Sequence, residues 1–229
     1  MIKVFALLRK RADVSEEQFY RHWNEVHAPL VLEHLSVKRY VHSRCLPQHR
    51  IPQLAPFPYA GADELWFDDF ETAKRELEGP AYLEGRGKDE ANFLDAAGPL
   101  WLFTRENVVI SGPPIEKNTQ ITKILFCVKH KPGRSSAEFQ DYWRNRHAPL
   151  VPGTPELDRY VQCHVVLDAY EPGQPTYDGV GELWCKDVAA FERCWSSPEL
   201  VKEQLPDTLN FVGPNAIGMI AEEVRVLWP

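Results

Sequence analysis

The chain has 229 residues, with 26 Lys and Arg against 33 Asp and Glu, giving a formal net charge of -7 and a pI near 5.6. That balance lacks the positive field on which nucleic-acid and anionic-membrane binders rely, and 44% hydrophobic with 11% aromatic residues excludes a disordered chain. No window approaches the roughly 20 apolar residues of a membrane span, and five cysteines without a CxxC fit a reduced, cytoplasmic setting.

In chain order, Ile2 to Leu8 reads as a strand, cut short by Arg9, Lys10 and Arg11. Ser15 with Gln18 is a capping box that opens a helix. Along this helix Phe19, Trp23, His27 and Leu30 form one stripe, which turns His27 inward. His22, five residues before His27, is expected on a different face. Pro29 has no amide, so the carbonyl of Glu25 loses its helical partner and the helix should kink or end there. A strand over Val37 to Cys45, a Pro-rich loop over Leu46 to Tyr59, a strand over Glu64 to Phe67, a second helical stretch and a strand over Trp101 to Ile110 follow. The order is βαββαβ.

The same order then recurs. After a linker with a proline pair at residues 111–120 come a strand (Ile121 to Val128), a capping box (Ser135, Glu138), and a helix with the stripe Phe139, Trp143, His147 and Leu150 ahead of the kink at Pro149. Strands over Leu157 to Val166, Gly181 to Cys185 and Ile217 to Leu227 complete it, with a loop at Leu167 to Tyr177. WNEVHAPLV at Trp23 returns as WRNRHAPLV at Trp143, and Glu64-Leu65-Trp66 as Glu182-Leu183-Trp184, a register that carries on through Asn92/Asn210 and Phe93/Phe211. The domains read as repeats at 1–110 and 121–229. Each would place four antiparallel strands under two helices and leave the far sheet face bare. The natural cover is the other copy's sheet, so the predicted fold is α+β, two units packed sheet to sheet as an intramolecular barrel. This is a pseudo-dimer within one chain, and a further homodimer is left open.

The segments FYRHWNEVHAPLV, KRYVHSR and ADELWFDD in the first half, and FQDYWRNRHAPLV, DRYVQCH and VGELWCKD in the second, resemble the EthD family of the dimeric α+β barrel (ferredoxin-like) superfamily. The resemblance implies two ferredoxin-like repeats and a small-molecule partner. Members of that superfamily include cofactor-free cyclases, decarboxylases, dehydratases and isomerases of aromatic or polyketide-like compounds, quinol-forming monooxygenases and haem-binding enzymes.

His27 and His147 are candidate general bases, since a buried imidazole titrates near neutrality. Alternation along the second strand groups Tyr40, His42 and Arg44, and Tyr160, Gln162 and His164; on the third strand Glu64 shares a face with Trp66, and Glu182 with Trp184. If these faces look at the helix, each unit holds a catalytic set. The candidates are His27, His147, Tyr40, Tyr160, His164, Glu64 and Glu182, with Tyr or Arg holding an oxyanion and Glu orienting the imidazole. Trp23, Trp143, His42, Arg44, Gln162, Trp66 and Trp184 would then bind substrate. In the competing structural reading Glu64 and Glu182 pair with Arg39 and Arg159 or with main-chain amides, and the tryptophans are core. No HxH or HxxxH spacing exists, so no metal is predicted; no cofactor is predicted either, with haem on His27 or His147 left open. The copies differ at His42/Gln162, Arg44/His164, Ala60/Asp178 and Asp63/Gly181, so the pockets should not be equivalent.

The expected function is a cofactor-independent enzyme using histidine acid-base catalysis, a lyase, cyclase or isomerase, on a hydrophobic or aromatic, polyketide-like substrate. The alternatives are a monooxygenase-type oxidoreductase, with or without haem, and a non-catalytic ligand-binding or stress-associated protein.

Overall fold

The computed structural model describes residues 1–229, with side chains described at all positions except 81, 83 and 86. Its strands are β1 (Ile2–Leu8), β2 (Arg39–Cys45), β3 (Ala55–Pro56), β4 (Gly61–Phe67), β5 (Leu100–Ile110), β6 (Thr122–Val128), β7 (Arg159–Val165), β8 (Gly179–Cys185) and β9 (Ile217–Leu227). Apart from β3, all were expected, and their ends fall within a few residues of those expected. Among the described residues no helix is long and apolar enough to cross a membrane.

The chain divides into two compact units, and these are not the two sequence repeats. Unit 1 holds Met1–Arg44, Pro58–Phe103 and Val224–Pro229; unit 2 holds Cys45–Phe57 and Thr104–Glu223. In unit 1, β4 lies between β1 and β2, antiparallel to both. In unit 2, β8 lies between β6 and β7, β9 runs along β6, and Thr104 to Ile110 of β5 pairs with β7. Each unit is assembled from separate stretches of chain, with β5 and β9 divided between the two.

Both capping boxes form, with the Ser15 and Ser135 hydroxyls accepting from the amides of Gln18 and Glu138. The first helix of each repeat does not end at its proline. Glu16–His22 passes through a π-helical turn, Trp23–His27, and resumes as Ala28–His34; Ser136–Tyr142 passes through Trp143–His147 into a short 3-10 turn, Ala148–Leu150. A third π turn, Leu200–Gln204, precedes Pro206. All three π turns stop two residues before a proline. Where the missing amide disrupts the ladder, the preceding amide reaches back five residues instead of four, as Ala28 does to Trp23 and Ala148 to Trp143.

The helix-facing core of unit 1 is Ala6, Leu8, Phe19, Trp23 and Phe93, and that of unit 2 includes Val128, Phe139, Trp143 and Phe211. β1, β4 and β8 are buried along their whole length, so the opposite sheet face is covered as well. On that face each unit buries an ion pair. Lys3 Nζ meets Glu64 Oε2 at 2.8 Å, and Lys123 Nζ meets Glu182 Oε1 at 2.5 Å and Glu223 Oε1 at 3.3 Å. Removing one partner of such a pair strands a charge in a dry interior. Glu64→Ala should therefore lower stability by about 3–5 kcal/mol in urea unfolding, whereas Lys3→Met with Glu64→Leu should return it to the wild-type level or above.

Candidate functional site

The π turns decide which side chains meet. In a regular helix residues five apart diverge, but one extra residue per turn brings them into line. His22 and His27 therefore share one carboxylate rather than facing apart: His22 Nε2 lies 2.8 Å from Asp89 Oδ1 and His27 Nδ1 lies 3.0 Å from Asp89 Oδ2. The second repeat reproduces this arrangement. Tyr142 donates its hydroxyl to Asp207 Oδ1 at 2.7 Å, and His147 Nδ1 lies 2.9 Å from Asp207 Oδ2. Asn92 and Asn210 donate to the same two carboxylates, each at 3.2 Å.

Burial would raise the Asp89 carboxyl, yet bonds from His27, His22 and Asn92 hold it down at about 2. Asp207 is likewise held below its ordinary value, against burial, by Tyr142, His147 and Asn210. Both remain carboxylates and fix Nδ1 as the protonated nitrogen of their histidine. The sequence reading missed both aspartates. The register that pairs Asn92 with Asn210 also pairs Asp89 with Asp207, three residues upstream of each asparagine, and that repeat was the available signal.

The second strand of each repeat turns its polar residues to the helix. Tyr40 and His42 lie there in unit 1, with His42 stacked on Trp23 at 4.3 Å and the Arg44 guanidinium 3.9 Å over the Tyr20 ring. Tyr160, Gln162 and His164 lie there in unit 2, where Gln162 Nε2 donates to the carbonyl of Trp143 at 2.9 Å. Burial pushes His42 down to about 4, against the pull of Asp63. Burial, helped by the charge of Arg144, pushes His164 down to about 3.

The third strand departs from the expected site. Glu64, Trp66, Glu182 and Trp184 occupy the opposite sheet face, bound to Lys3 and Lys123, so they neither orient an imidazole nor share a pocket with His27 or His147. Alternation explains this: Asp63 and Gly181 pair across from Ala6 and Phe126 on the helix side, which sends their neighbours to the other side. Arg159 donates to the carbonyl of Pro113. On that far face Glu106, Cys163 and Glu182 bring ligand atoms within 4.8 Å of one another. Lys123 already answers the Glu182 charge there, and Cys163 Sγ donates to Glu182 Oε2 at 3.1 Å.

The exchange of Ala6 and Asp63 for Phe126 and Gly181 separates the repeats chemically. In unit 1, Trp23 Nε1 and the Tyr40 hydroxyl both donate to Asp63 Oδ1, at 2.8 and 2.9 Å. In unit 2 a Cβ on Gly181 would overlap the Phe126 ring, so no side chain fits. Without a carboxylate there, Trp143 Nε1 donates to the Tyr160 oxygen at 2.9 Å and Gln162 Nε2 to the same oxygen at 3.3 Å. Both lone pairs of that hydroxyl are used, which leaves its own proton free to donate.

Tyr160 and His147 line one cavity of about 450 Å³ in unit 2, otherwise walled largely by apolar and aromatic groups such as Phe126, Trp143, Leu183 and Trp195. Gln53 and Leu54, from the Pro-rich loop of the first repeat, complete the wall, and the Trp195 indole donates to Gln53 Oε1 at 3.0 Å. Of the two long loops, Leu46 to Tyr59 and Leu167 to Tyr177, the first borders the cavity. Burial lowers His147 below the usual histidine value, with Asp207 opposing, and pushes the Tyr160 hydroxyl up. At neutral pH the cavity therefore holds an imidazole with a basic Nε2 and a phenol that keeps its proton.

The profile of the EthD domain matches residues 11–97 and 131–215. No curated protein matches the sequence. Among solved structures, an anthrone oxidase-like protein is similar with a TM-score of 0.68 at 8% identity, covering 98% of this chain and 93% of that one. A provisionally assigned monooxygenase from Fusobacterium nucleatum gives 0.59 at 9% identity, over 97% and 91%. Chlorite dismutase from Candidatus Nitrospira defluvii in complex with imidazole gives 0.52 at 12% identity, over 96% and 90%. This likeness shows the fold, the α+β barrel of ferredoxin-like repeats, here carried twice on one polypeptide.

A cavity shaped by one Phe/Gly pair should respond to the exchange of that pair. Phe126→Ala with Gly181→Asp, which transplants the first repeat's residues, should bring a carboxylate to Trp143 and Tyr160 and weaken binding of an apolar fluorescent naphthalene sulfonate by at least about tenfold, roughly 1.4 kcal/mol. Gly181→Asp alone should instead destabilise the fold by overpacking, by about 1–3 kcal/mol or more.

Proposed function

Because this chain belongs to the EthD family, with two EthD domains on one polypeptide, we propose that it is an acid-base enzyme acting on a small hydrophobic, carbonyl-bearing aromatic or polyketide-like molecule bound in the unit 2 cavity. The carrying observation is His147: its Nδ1 is held by Asp207 and its ring forms part of a mainly apolar wall shared with the Tyr160 hydroxyl. His147 Nε2 removes a proton from carbon or oxygen next to a carbonyl. Tyr160 donates to the oxygen on which charge develops, and Asp207 stabilises the imidazolium. Returning the proton at a second carbon gives isomerisation, delivering it to a leaving hydroxyl gives dehydration, and attack of the enolate carbon on a second carbonyl of the same molecule, whose oxygen takes the proton, gives cyclisation. Tyr142 and Asn210 are positioning residues, acting through Asp207. On this reading His27 has a structural part, Tyr40 gives its proton to Asp63, and Glu64 and Glu182 stand outside the reaction.

The likeness to an anthrone oxidase-like protein supports an oxidative branch through the same first step. A deprotonated anthrone-type carbanion can react with molecular oxygen, keeping one oxygen atom as a new carbonyl and releasing the other as water. Haem fits this cavity poorly. His147 could offer Nε2 to iron, but no Lys or Arg lies among the described lining residues to meet two propionates.

Exchange of the α-protons of 2-tetralone in D2O, followed by NMR, tests the base directly. Wild-type protein should accelerate exchange, His147→Gln should remove about 10²-fold or more, and Tyr160→Phe about 10²-fold. His27→Gln should leave the rate within about twofold. Since His147 must be neutral and its pKa is lowered, the rate should rise with pH through a midpoint below about 6.5 and stay level to at least about pH 9, because Tyr160 titrates above its ordinary value. Unchanged exchange in His147→Gln would remove the base from the mechanism. Oxygen uptake with anthrone would select the oxidative branch.

A further inference from the structure

The third π turn, Leu200–Gln204, has a part that the acid-base chemistry leaves unused. The register that pairs Asn92 with Asn210 sets Lys88 against Pro206 and Arg86 against Gln204, so neither this proline nor this amide recurs in the first repeat. Gln204 lines the unit 2 cavity and is only 6% exposed. Its amide nitrogen donates to the carbonyl of Leu150 at 3.2 Å and to the Thr154 hydroxyl oxygen at 2.6 Å. Both partners can only accept, since Thr154 spends its own hydroxyl proton on the carbonyl of Val151 at 2.6 Å. A reversed amide would set oxygen against oxygen, so the partners fix which end of the side chain is nitrogen. The other end, Oε1, accepts no hydrogen bond from the described residues and is left to whatever fills the cavity.

Given the acid-base chemistry assigned to this cavity, on which the inference rests, we propose that Gln204 is a specificity-determining residue and that the substrate is a phenolic ketone, whose ring hydroxyl donates to Gln204 Oε1 while its carbonyl accepts from Tyr160. A ligand in the cavity meets a buried donor at Tyr160, a base at His147 Nε2 and a buried acceptor at Gln204 Oε1. The complement is a carbonyl, an acidic proton beside it, and a hydrogen-bond donor elsewhere on an apolar frame. A hydroxyl suits that last place better than an amine. It brings one proton to one acceptor, whereas the second N–H of an amine would be stranded against an apolar wall. No Asp or Glu lies among the described lining residues, so an ammonium group would have no counter-charge. A phenol is a stronger donor than an aliphatic alcohol, and Phe126, Trp143 and Phe211 favour the ring that bears it.

The other polar side chains of the wall do not compete for this part. Thr208 donates its hydroxyl to the carbonyl of Gln204 at 2.8 Å, and Gln53, which is exposed, accepts from the Trp195 indole. The turn at Gln204 leads directly into Leu205–Thr208, the short helix that carries Asp207, the partner of His147 Nδ1. One stretch of backbone therefore places both the acceptor for the remote hydroxyl and the carboxylate behind the base. A ligand without the hydroxyl would leave Oε1 dry and unpaired, and a pocket built around a hydroxyl rejects the analogue that lacks it.

Isothermal titration calorimetry on the full-length protein tests it, with each ring-hydroxylated isomer of 2-tetralone set against the fluoro compound of the same isomer. Fluorine keeps close to the size of the hydroxyl but has no proton to give. At least one hydroxyl isomer should bind about tenfold or more tightly than its fluoro partner. Gln204→Met should bring that pair to within about twofold of each other. Thr154→Val, which frees the amide from an anchor outside the cavity wall, should narrow the preference, and Thr154→Ser, which restores the anchor, should keep it. Proton exchange separates this inference from the one beneath it. Exchange lost in His147→Gln without a hydroxyl preference in the wild type would leave the base in place and remove the role of Gln204; a hydroxyl preference with exchange unchanged in His147→Gln would keep the contact and remove the base. Should Gln204→Met fail to fold, the wild-type comparison decides alone. No hydroxyl isomer preferred over its fluoro partner, or a preference undiminished in Gln204→Met, would overturn the proposal.

Discussion

The feature on which both sites depend is a hydrogen bond displaced by one residue. Pro29 and Pro149 have no amide to offer, and just before each the helix takes an i to i+5 turn at Trp23–His27 and Trp143–His147. With that extra residue His22 lines up with His27, and Tyr142 with His147, so each pair can share a single aspartate. A regular helix would point the two members to different faces and leave one carboxylate bond unmade. The turn thus sets the tautomer of each imidazole by setting what its Nδ1 meets. Since the tautomer decides whether Nε2 is a base or a donor, a backbone irregularity is translated directly into chemistry.

The two repeats share this device and diverge one layer below it. A single exchange of volume and charge between directly paired residues, Ala6 and Asp63 against Phe126 and Gly181, changes where the tyrosine proton goes. With Asp63 present, Tyr40 and Trp23 are both committed to it, and the space facing His27 is polar. With Gly181 and Phe126 the tryptophan turns to the tyrosine oxygen, whose proton is released toward a mainly apolar cavity. The same helix-borne histidine therefore sits among acceptors in one unit and beside a donor in the other. Duplication allows this divergence, because one copy can keep an apolar cavity beside its histidine while the other surrounds its histidine with acceptors.

Much of this could be read from the amino acids. The repeat, the strand order, both capping boxes and the inward stripe of Phe19, Trp23 and His27 follow from periodicity, and the segments they mark carry the family resemblance that the EthD profile match bears out. Alternation correctly grouped Tyr40 with His42 and Tyr160 with Gln162 and His164. It could not say which face met the helix, since β4 and β8 are buried on both sides and their hydropathy does not distinguish them. Glu64 and Glu182 were therefore assigned to the wrong face, and Asp63 was noticed only as a difference between copies. The meeting of His27, His42 and Asp63 escaped for another reason. Its residues lie on a helix and two strands, so no local spacing signals it, and only the register of β2 against β4 puts His42 opposite Asp63.

The sequence repeat and the compact unit are different things in this chain, and the difference bears on function. Residues 121–229 alone would lack Thr104 to Ile110, which pair with β7, and would leave that strand's edge open beside Gln162. They would also lack Gln53 and Leu54, two walls of the cavity, and β3, which runs parallel to β9 through Ala55 and Pro56. The loop carrying these residues packs Ile51 and Leu54 so close over Gly218 that a Cβ there would meet their methyl groups at 2.9 and 2.7 Å. An exposed strand edge and an unroofed apolar hollow both favour association over folding. The cavity-bearing half of the molecule thus borrows its roof and one sheet edge from the first repeat, and a duplicated chain holds those parts at fixed stoichiometry without an intersubunit equilibrium. That is a physical reason for the two domains to stay on one polypeptide once their sites had diverged.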